Sequence, residues 1–287
     1  MRASYSNRLP KGLIKAVFVI PQIGENLTTN KANLVIAVSG KGGVGKTSIT
    51  ALMIKLLSET SSGRSILAID ANPDSNLPNV SGISVDKTVG MVTDELKKSI
   101  ERAEIPLGMT KEDILESRVF EILKETPDFD LLVMGRGEGE GCYCPVNALL
   151  TRIIDTLSKN YDLTIMDMEA GLEHLSRRTD RDVDIMFIVT DPSSMGLQTA
   201  KRIKELAKEV QIQFKKIYLI ANRFKPEMES KIREDAMKIG VEFAGIVPYD
   251  NNLSNCNIEG KPLTSLPNES PSVASVKKIL LKTGLLN

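Results

Sequence analysis

A glycine-rich stretch with two lysines and a threonine carries the clearest chemistry in this sequence. Residues 39–47 read Ser-Gly-Lys-Gly-Gly-Val-Gly-Lys-Thr; they follow the apolar run 34–38 and precede apolar residues at helical spacing over 49–57. This order predicts a strand, a loop and a helix. The backbone N–H groups of such a loop converge with a helix N-terminus on phosphate groups. The sequence therefore predicts a binding site for a nucleoside triphosphate.

The residues of this phosphate loop have expected roles. In the Gly-x4-Gly-Lys-Thr pattern, the ammonium group of Lys46 reaches the β- and γ-phosphates and the hydroxyl of Thr47 holds Mg²⁺. The alternative is a plain glycine-rich turn, which does not explain why strand, spacing, Lys-Thr pair and helix occur together. The residues expected to contact the nucleotide here are Gly40, Lys41, Gly42, Gly43, Val44, Gly45, Lys46, Thr47 and Ser48.

Three carboxylates stand at or just after the ends of predicted strands. Asp70 and Asp167 each follow an apolar run, and ligands of open α/β sheets bind at these carboxyl ends. Asp74 lies in the loop after Asp70. We expect Asp70, Asp167 and Thr47 to hold Mg²⁺, and either Asp70 or Asp74 to orient the attacking water. For Asp74 the alternative is a turn or a helix cap.

Two cysteines one residue apart form a second candidate site. Cys142 and Cys144 follow a loop with glycine at every second position, 135–141, and Pro145 precedes a helical pattern. Because proline favours the first helical position, Cys144 is expected near the N-cap, where the helix dipole favours the metal-binding thiolate. Two thiolates supply half of a four-ligand site. Buried apolar cysteines and a redox pair are the alternatives.

Lys41, directly after the first glycine, departs from the plain phosphate loop. Lys-Gly-Gly-x-Gly-Lys-Thr over 41–47 resembles the signature of the deviant Walker A ATPases, which include the MinD/ParA proteins and the nitrogenase iron protein. The resemblance implies that Lys41 crosses a homodimer interface and neutralises charge on the partner's ATP. It also places Asp70 and Asp74 on the acidic positions of switch I. An ordinary solvated lysine beside phosphates is the alternative.

The stretch around the cysteines narrows this resemblance. Gly-Arg-x-Glu-Gly-x-Gly-Cys-Tyr-Cys over 135–144, followed by Val146 and Asn147, is similar to the nickel-inserting accessory ATPases of carbon monoxide dehydrogenase, the CooC type. In that family the two cysteines of each subunit bind Ni²⁺ or Zn²⁺ at the dimer interface, so a two-fold dimer would complete the site on its axis. Residues 167–174 resemble switch II of the same group. His174 is interpreted as structural, and a metal role for it stays open.

Two further places match the elements that surround the purine in this family. Asn222 and Arg223 follow the predicted strand 216–221, and Pro248 and Asp250 follow the predicted strand 241–246. The resemblance implies that these four residues contact the nucleotide. The alternative at either place is a plain strand-to-helix turn.

Charge and hydropathy exclude some function classes. The 287 residues include 37 basic and 37 acidic ones, so no global field attracts nucleic acid or acidic lipid. The apolar run 16–20 is too short to span a bilayer and lacks a signal cleavage site. We therefore expect a cytoplasmic protein with no nucleic-acid or membrane partner. The basic amphipathic segment 273–282 is interpreted as a helix that closes the sheet, with a membrane-targeting tail as the alternative.

Strand and helix patterns alternate along the chain. We expect one doubly wound α/β domain, with a mainly parallel sheet and helices on both faces, over residues 34–287. It follows an N-terminal extension of unknown role at 1–33, and the family resemblance spans roughly 34–282. The predicted strands are 34–38, 65–69, 130–134, 161–167, 183–190, 216–221 and 241–246, and the predicted helices include 49–57, 89–100, 111–123 and 146–154.

The leading hypothesis is an ATP-hydrolysing, dimerising metallochaperone that assists nickel insertion into carbon monoxide dehydrogenase or acetyl-CoA synthase. Its cofactors would be ATP and Mg²⁺, with Ni²⁺ or Zn²⁺ at Cys142 and Cys144. An iron–sulfur electron-transfer ATPase like the nitrogenase iron protein fits less well, because that protein's cluster cysteines lie far apart in sequence. A MinD-like positioning ATPase leaves the two cysteines unexplained.

Overall fold

The structure is a computed structural model that describes residues 33–60, 63–102, 104–105, 108, 110–136, 152–169, 183–209 and 214–286. The apolar run before the phosphate loop forms the first strand, β1 (Leu34–Gly40), whose last five residues are buried. The helix after the loop, α1 (Lys46–Thr60), is buried on most sides, with ten residues shielded from solvent. A helix that is apolar nearly all round belongs in a core.

The other elements follow in a regular alternation. The strands are β2 (Ile66–Asp70), β3 (Lys124–Glu125), β4 (Asp130–Val133), β5 (Leu163–Asp167), β6 (Val183–Thr190), β7 (Phe214–Asn222) and β8 (Glu242–Val247). The helices are α2 (Leu77–Ser81), α3 (Val89–Glu101), α4 (Lys111–Glu121), α5 (152–158), α6 (Ser194–Glu209), α7 (Glu229–Ile239), α8 (Asn251–Glu259) and α9 (Pro271–Lys282).

The strands form one sheet in the order β3-β4-β2-β5-β1-β6-β7-β8. The pairings are parallel, apart from the short antiparallel pair of β3 and β4 at one edge. Strands β2 to β5 lie on one side of β1, and strands β6 to β8, which follow later in the chain, lie on the other side. Ligands of such sheets bind where the strand order reverses, and β1 delivers the phosphate loop at that point. The predicted doubly wound α/β fold is confirmed.

Alternate residues of the central strands face two separate cores, as the pleat of a strand requires. On β1, Ile36 and Val38 pack in the core formed with α1, α2 and α9. Ala37 packs in the other core, with α3, α4, α5, α6 and α7. The sheet is therefore covered on both faces, which is what a parallel sheet needs to be stable.

The basic segment near the end of the chain forms α9 and closes one face of the sheet. Its Val273, Val276 and Leu280 are fully buried. This arrangement agrees with the closing-helix interpretation of the segment. None of the described helices combines the length and the apolar character that a bilayer crossing requires.

The start of α4 is a capped helix terminus. The backbone N–H of Asp113 donates to Oγ1 of Thr110 at 3.1 Å, and the backbone N–H of Thr110 donates to Oδ2 of Asp113 at 2.9 Å. This reciprocal capping box satisfies two N–H groups that the first helical turn leaves without partners. Sequence patterns did not identify α2, α7, α8 or the edge strand β3. Residues 1–32 of the predicted extension lie outside the described residues.

Candidate functional site

The phosphate loop contains glycines that the fold requires. Gly45 has a φ of +91°, and a Cβ at this position would lie 2.4 Å from Nδ2 of Asn222. A Cβ on Gly40 would lie 2.2 Å from the carbonyl oxygen of Val189, on β6. The loop therefore passes too close to the ends of β6 and β7 for a larger residue at either position.

Asn222 and Arg223, at the end of β7, hold the phosphate loop in place. Nδ2 of Asn222 donates to the carbonyl oxygen of Val44 at 2.7 Å, and Nη2 of Arg223 donates to that of Gly43 at 3.1 Å. Arg223 has a φ of +62°, a conformation that is uncommon outside glycine. In the structure their side chains fix the backbone of the loop, and their expected contact with the purine stays a prediction.

Lys46 lies in the first turn of α1 with only 6% of its surface exposed. Its Nζ donates to the carbonyl oxygen of Lys41 at 3.3 Å, across the loop. Burial lowers the pKa of Lys46, and the carboxylates of Asp167 and Glu169 oppose that shift. The loop thus surrounds a poorly hydrated positive charge, which favours the binding of an anionic phosphate group.

Asp167 ends β5 and is fully buried beside the first turns of α1. Its Oδ2 accepts from Oγ1 of Thr47 at 2.6 Å. Its Oδ1 lies 3.3 Å from Oγ1 of Thr50, a hydroxyl that it shares as donor with the carbonyl oxygen of Lys46 at 3.0 Å. Burial raises the pKa of Asp167 to about 6, although the hydroxyl of Thr47, the charge of Lys46 and the hydroxyl of Thr50 act in the opposite direction. The structure therefore brings together two of the three predicted Mg²⁺ ligands.

Asp70 ends β2 and stands in register with Asp167 on the neighbouring strand. Its carboxylate accepts the backbone N–H groups of Asn72 at 3.1 Å and Leu77 at 2.9 Å, so it also closes the loop between β2 and α2. Burial raises the pKa of Asp70 to about 7; the negative charge of Asp167 adds to the rise, and the two backbone hydrogen bonds reduce it.

These two aspartates and Thr47 form an oxygen-rich set at adjoining strand ends. Two buried carboxylates on neighbouring strands raise the cost of ionising both, and a divalent cation between them removes that cost. Carboxylate and hydroxyl oxygens, together with phosphate oxygens and water, are the ligands that Mg²⁺ takes in phosphate-binding enzymes. The donor set of Asp70, Asp167 and Thr47 therefore fits a Mg²⁺ ion.

Asp74 occupies the exposed tip of the loop between β2 and α2. Its backbone N–H donates to Oδ1 of Asn72 at 3.0 Å. Its Oδ1 accepts from Nη2 of Arg136 at 3.0 Å, and Arg136 lies just after β4. The ion pair links two loops at the carboxyl edge of the sheet. Because both side chains are mostly exposed, the pair contributes little to stability.

A cavity of about 250 Å³ adjoins the phosphate loop on the side of β7 and β8. Its lining includes six residues that the sequence predicted to contact the nucleotide: Gly45, Ser48, Asn222, Arg223, Pro248 and Asp250. A concave site with apolar and polar walls beside a phosphate loop suits the sugar and base of a nucleotide.

The carboxylate of Asp250 accepts hydrogen bonds from other groups of the protein. Its Oδ2 accepts from Oγ of Ser270 at 2.7 Å and from the backbone N–H and Oγ of Ser272 at 2.9 and 2.6 Å. Its Oδ1 accepts from the backbone N–H of Asn252 at 2.9 Å and so caps α8. Burial alone would raise the pKa of Asp250, but these hydrogen bonds outweigh it and hold the pKa below its ordinary value. Asp250 therefore builds the wall of the cavity, and its contact with a nucleotide stays a prediction.

Comparison with known proteins identifies the family. A profile of the CobQ/CobB/MinD/ParA nucleotide binding domain matches residues 35–263. The chain belongs to this family. It is 53% identical over 249 residues to an uncharacterized ATP-binding protein of Methanocaldococcus jannaschii, across 87% of this chain and 98% of that protein.

Two further comparisons agree with this membership of the CobQ/CobB/MinD/ParA family. The chain is 32% identical over 234 residues to the carbon monoxide dehydrogenase accessory protein CooC of Rhodospirillum rubrum, across 78% of this chain and 87% of that protein. The septum site-determining protein MinD of Pyrococcus horikoshii, solved as a complex with Mg-ADP, has the same fold. Its TM-score is 0.60 at 20% identity, across 87% of this chain and 95% of that one.

The predicted cysteine site lies outside the described residues, because Cys142 and Cys144 fall between residues 136 and 152. His174 lies outside them as well. Within the described ranges, no group of three or more His, Cys, Asp and Glu side chains is placed to hold a metal ion. Cys256 is a partly buried free thiol that packs against the core around α1.

Two contacts at the site of this family member were not anticipated from sequence. Oγ of Ser39, at the end of β1, donates to the carbonyl oxygen of Glu169 at 2.6 Å. The Arg136–Asp74 pair joins residues 62 positions apart. Glu169 lies two residues after Asp167, and that short distance from a strand end is the signal that could have identified it as a candidate. The role of Lys41 towards a second subunit stays a prediction.

Proposed function

We propose that this protein is a Mg²⁺-dependent ATPase that dimerises around ATP and delivers nickel to a nickel enzyme. The observation that carries the ATPase proposal is the hydrogen bond from Thr47 to Asp167 at 2.6 Å. In enzymes with this type of phosphate loop, the same two residue types hold the Mg²⁺ of the bound nucleotide. That role requires the loop, α1 and β5 to meet, and they do.

Each group at the site has a role in this proposal. Lys46 and the backbone N–H groups of the loop bind the phosphates of ATP. Asp70, Asp167 and Thr47 hold Mg²⁺, which neutralises charge on the phosphates when it is bound. The sugar and base occupy the cavity beside β7 and β8. Lys41 reaches the nucleotide of a second subunit, so that hydrolysis requires the dimer.

The nickel part of the proposal is supported by a relative and by a motif. The relative is the carbon monoxide dehydrogenase accessory protein of R. rubrum, at 32% identity. The motif is Cys-Tyr-Cys at 142–144, directly after the glycine-rich loop. In a two-fold dimer, two copies of Cys142 and Cys144 supply four thiolates, enough for a tetrahedral Ni²⁺ or Zn²⁺ site. The client enzyme would be carbon monoxide dehydrogenase or acetyl-CoA synthase.

Metal stoichiometry and oligomer mass, measured together, test the nickel proposal. Equilibrium dialysis with Ni²⁺ and light scattering would be applied to the wild type and to the double variant Cys142→Ser/Cys144→Ser. We expect one Ni²⁺ per dimer for the wild type and none for the variant. A wild type that dimerises with ATP but takes up no metal would overturn the nickel role and leave the ATPase role standing.

ATP hydrolysis by the variant Lys41→Ala tests whether Lys41 of one subunit acts on the nucleotide bound to the other subunit. We expect it to lose hydrolysis by about 10³-fold, the size of the effect that a charge supplied in trans has in related chemistry, while it keeps most of its nucleotide affinity. Lys231→Ala, an exposed lysine on α7, is the matched control and should behave as the wild type. Full turnover by Lys41→Ala would exclude the role in trans.

The iron–sulfur alternative makes a different spectroscopic prediction. A cluster held by thiolates absorbs visible light, whereas Ni²⁺ or Zn²⁺ carried as cargo adds no cluster bands. Protein purified without oxygen should therefore lack the broad absorption of an iron–sulfur cluster. Its presence, lost in the double cysteine variant, would favour electron transfer over metal delivery.

A further inference from the structure

We infer that Glu169 is the carboxylate that orients the attacking water and takes its proton during hydrolysis of the γ-phosphate. This inference rests on the proposed ATPase function. It gives the water-activating role to a residue that the pattern of aspartates at strand ends did not select. It follows from how the four carboxylates around the phosphate loop are engaged.

Asp70 and Asp167 are unsuited to this role because both are fully buried at the strand ends. Both oxygens of Asp70 accept backbone N–H groups, and both oxygens of Asp167 accept threonine hydroxyls. The attacking water must approach the γ-phosphate from the side opposite the leaving oxygen. A group that activates this water has to reach the open side of the phosphate loop, away from the packed sheet.

Asp74 is exposed, but it lies at the tip of its loop and Oδ1 accepts from the guanidinium of Arg136 at 3.0 Å. The loop itself is fixed by Asp70, which binds the backbone of Asn72 and of Leu77. Asp74 therefore points its carboxylate towards the loop after β4, where Arg136 compensates its charge.

Glu169 is exposed and stands close to the phosphate loop. Its carbonyl oxygen accepts from Oγ of Ser39 at 2.6 Å, and Ser39 lies in β1 directly before the loop. The preceding residue, Met168, is fully buried and donates its backbone N–H to the carbonyl oxygen of Val38 at 2.9 Å. The backbone of Glu169 is therefore held against the strand that delivers the loop.

The side chain of Glu169 has the charge and the freedom that the role needs. Its carboxylate is near enough to Lys46 to affect that ammonium group, together with Asp167. It accepts no hydrogen bond and forms no ion pair within the part of the chain that the structure describes. A carboxylate near the phosphate-binding lysine, fixed through its backbone and without a side-chain partner among the described residues, can accept a hydrogen bond from water.

The proposed step is balanced within the site. The water oxygen forms a bond to the γ-phosphorus, and the bond from that phosphorus to the β–γ bridging oxygen breaks. The electron pair of the broken bond leaves with ADP. One proton of the water passes to the carboxylate of Glu169 and then to solvent, and the product is inorganic phosphate.

Steady-state hydrolysis and nucleotide binding by the variant Glu169→Gln test the inference. We expect kcat to fall by about 10²- to 10³-fold, the usual size of a general-base effect, while ADP affinity stays within about three-fold because the side chain is exposed. Glu234→Gln, an exposed glutamate on α7, is the matched control and should keep full activity.

Chemical rescue separates a base from a structural role. Hydrolysis by Glu169→Ala should be partly restored by added formate, whereas Glu169→Gln should not respond. A Glu169→Gln protein that keeps most of its kcat, or an Asp74→Asn protein that loses activity while Glu169→Gln does not, would overturn the inference. A wild type that binds ATP but never hydrolyses it would overturn the proposed ATPase function itself. Failure of the Glu169 inference, in contrast, leaves a wild type that hydrolyses ATP, so the two failures can be distinguished.

Discussion

Asp70 and Asp250 are both buried carboxylates at the carboxyl edge of the same sheet, yet their pKa values move in opposite directions. Asp250 accepts hydrogen bonds from two serine hydroxyls and from backbone N–H groups, and its pKa lies below the ordinary value. Asp70 accepts two backbone N–H groups and stands beside Asp167, and burial raises its pKa to about 7.

The difference separates a structural carboxylate from one at the predicted Mg²⁺ site. A buried carboxylate with enough donors is stable as an anion and holds the fold together. One with too few donors stays costly to ionise until a cation arrives. In this protein, the first kind lies in the wall of the cavity and the second kind lies at the predicted Mg²⁺ position. The predictions that follow test this distinction, from the largest expected effect to the smallest.

Asp250→Ala should be the most damaging change, with a loss of about 4 kcal/mol in the free energy of unfolding. It removes the N-cap of α8 and leaves the hydroxyls of Ser270 and Ser272 without their acceptor. Urea unfolding measures the loss. Asn251→Ala, the exposed neighbour, is the control and should change stability by less than about 0.5 kcal/mol. A small loss for Asp250→Ala would mean that water replaces the carboxylate easily.

The ligand-free protein should lose stability as the pH rises from about 4 to 7. The pKa of Asp70 is about 7 in the folded state and 3.8 as its ordinary value, so the folded protein holds a proton that the unfolded chain releases. This stabilisation is complete below pH 4 and is lost as the pH passes 7. The loss is on the order of 2–4 kcal/mol.

The variant Asp70→Asn isolates this effect. Its amide does not titrate, so its stability should fall less over the same pH range. The observable is the difference between wild type and variant in unfolding free energy, measured by urea denaturation at several pH values. Asp167, with a pKa of about 6, adds a slope of the same sign in both proteins. Parallel pH profiles would show that Asp70 ionises in the fold without cost.

Removal of Mg²⁺ should matter more at pH 8 than at pH 6, because the ion competes with protons for the two buried aspartates. With ADP present, adding Mg²⁺ in place of EDTA should raise the unfolding free energy by about 1–2 kcal/mol at pH 8. The gain should shrink at pH 6 and vanish in Asp70→Asn. Thermal unfolding measures the gain at each pH, in the wild type and in Asp70→Asn. The variant Asp128→Asn, at an exposed position, is the control and should respond as the wild type. An equal gain at both pH values would contradict the competition.

Thr50→Val should give the smallest effect, about 1 kcal/mol, because it removes the weaker of the two hydroxyl donors to Asp167 and keeps the shape of the side chain. It should also make Asp167 harder to ionise. The hydroxyl of Thr50 also donates to the carbonyl oxygen of Lys46 at 3.0 Å. Thr199→Val on α6 removes a bond of that kind, from a hydroxyl to a helix carbonyl, with no carboxylate involved, so it controls for the loss of the Lys46 bond. If both variants lose the same stability, the bond from Thr50 does not support Asp167.

Local sequence patterns predicted much of the sheet and of the phosphate site. Glycines at fixed spacing, a Lys-Thr pair and an aspartate at a strand end each depend on neighbours only a few residues away. The contacts of Thr47 with Asp167 could be anticipated from them, because parallel strands bring their carboxyl ends to one edge. The same reasoning predicted the fold class.

Contacts between distant residues could not be predicted in this way. Asn222 and Val44 are 178 positions apart, and no local spacing marks the amide that fixes the loop. The acceptors and donors around Asp250 likewise meet only in the fold. The helices α7 and α8 escaped detection because they bury little: two residues in α7 and none in α8. Without an apolar stripe, their sequences resemble loops.

The central place of β1 also determines which part of the protein opens last. This strand has a neighbour on each edge and a core on each face, whereas α8 buries none of its residues. Amide hydrogens of β1 should therefore exchange with solvent only through global unfolding, and those of α8 through local opening. Strand β1, which carries the phosphate loop, should therefore stay protected from hydrogen exchange after the amide hydrogens of α8, beside the cavity, have begun to exchange.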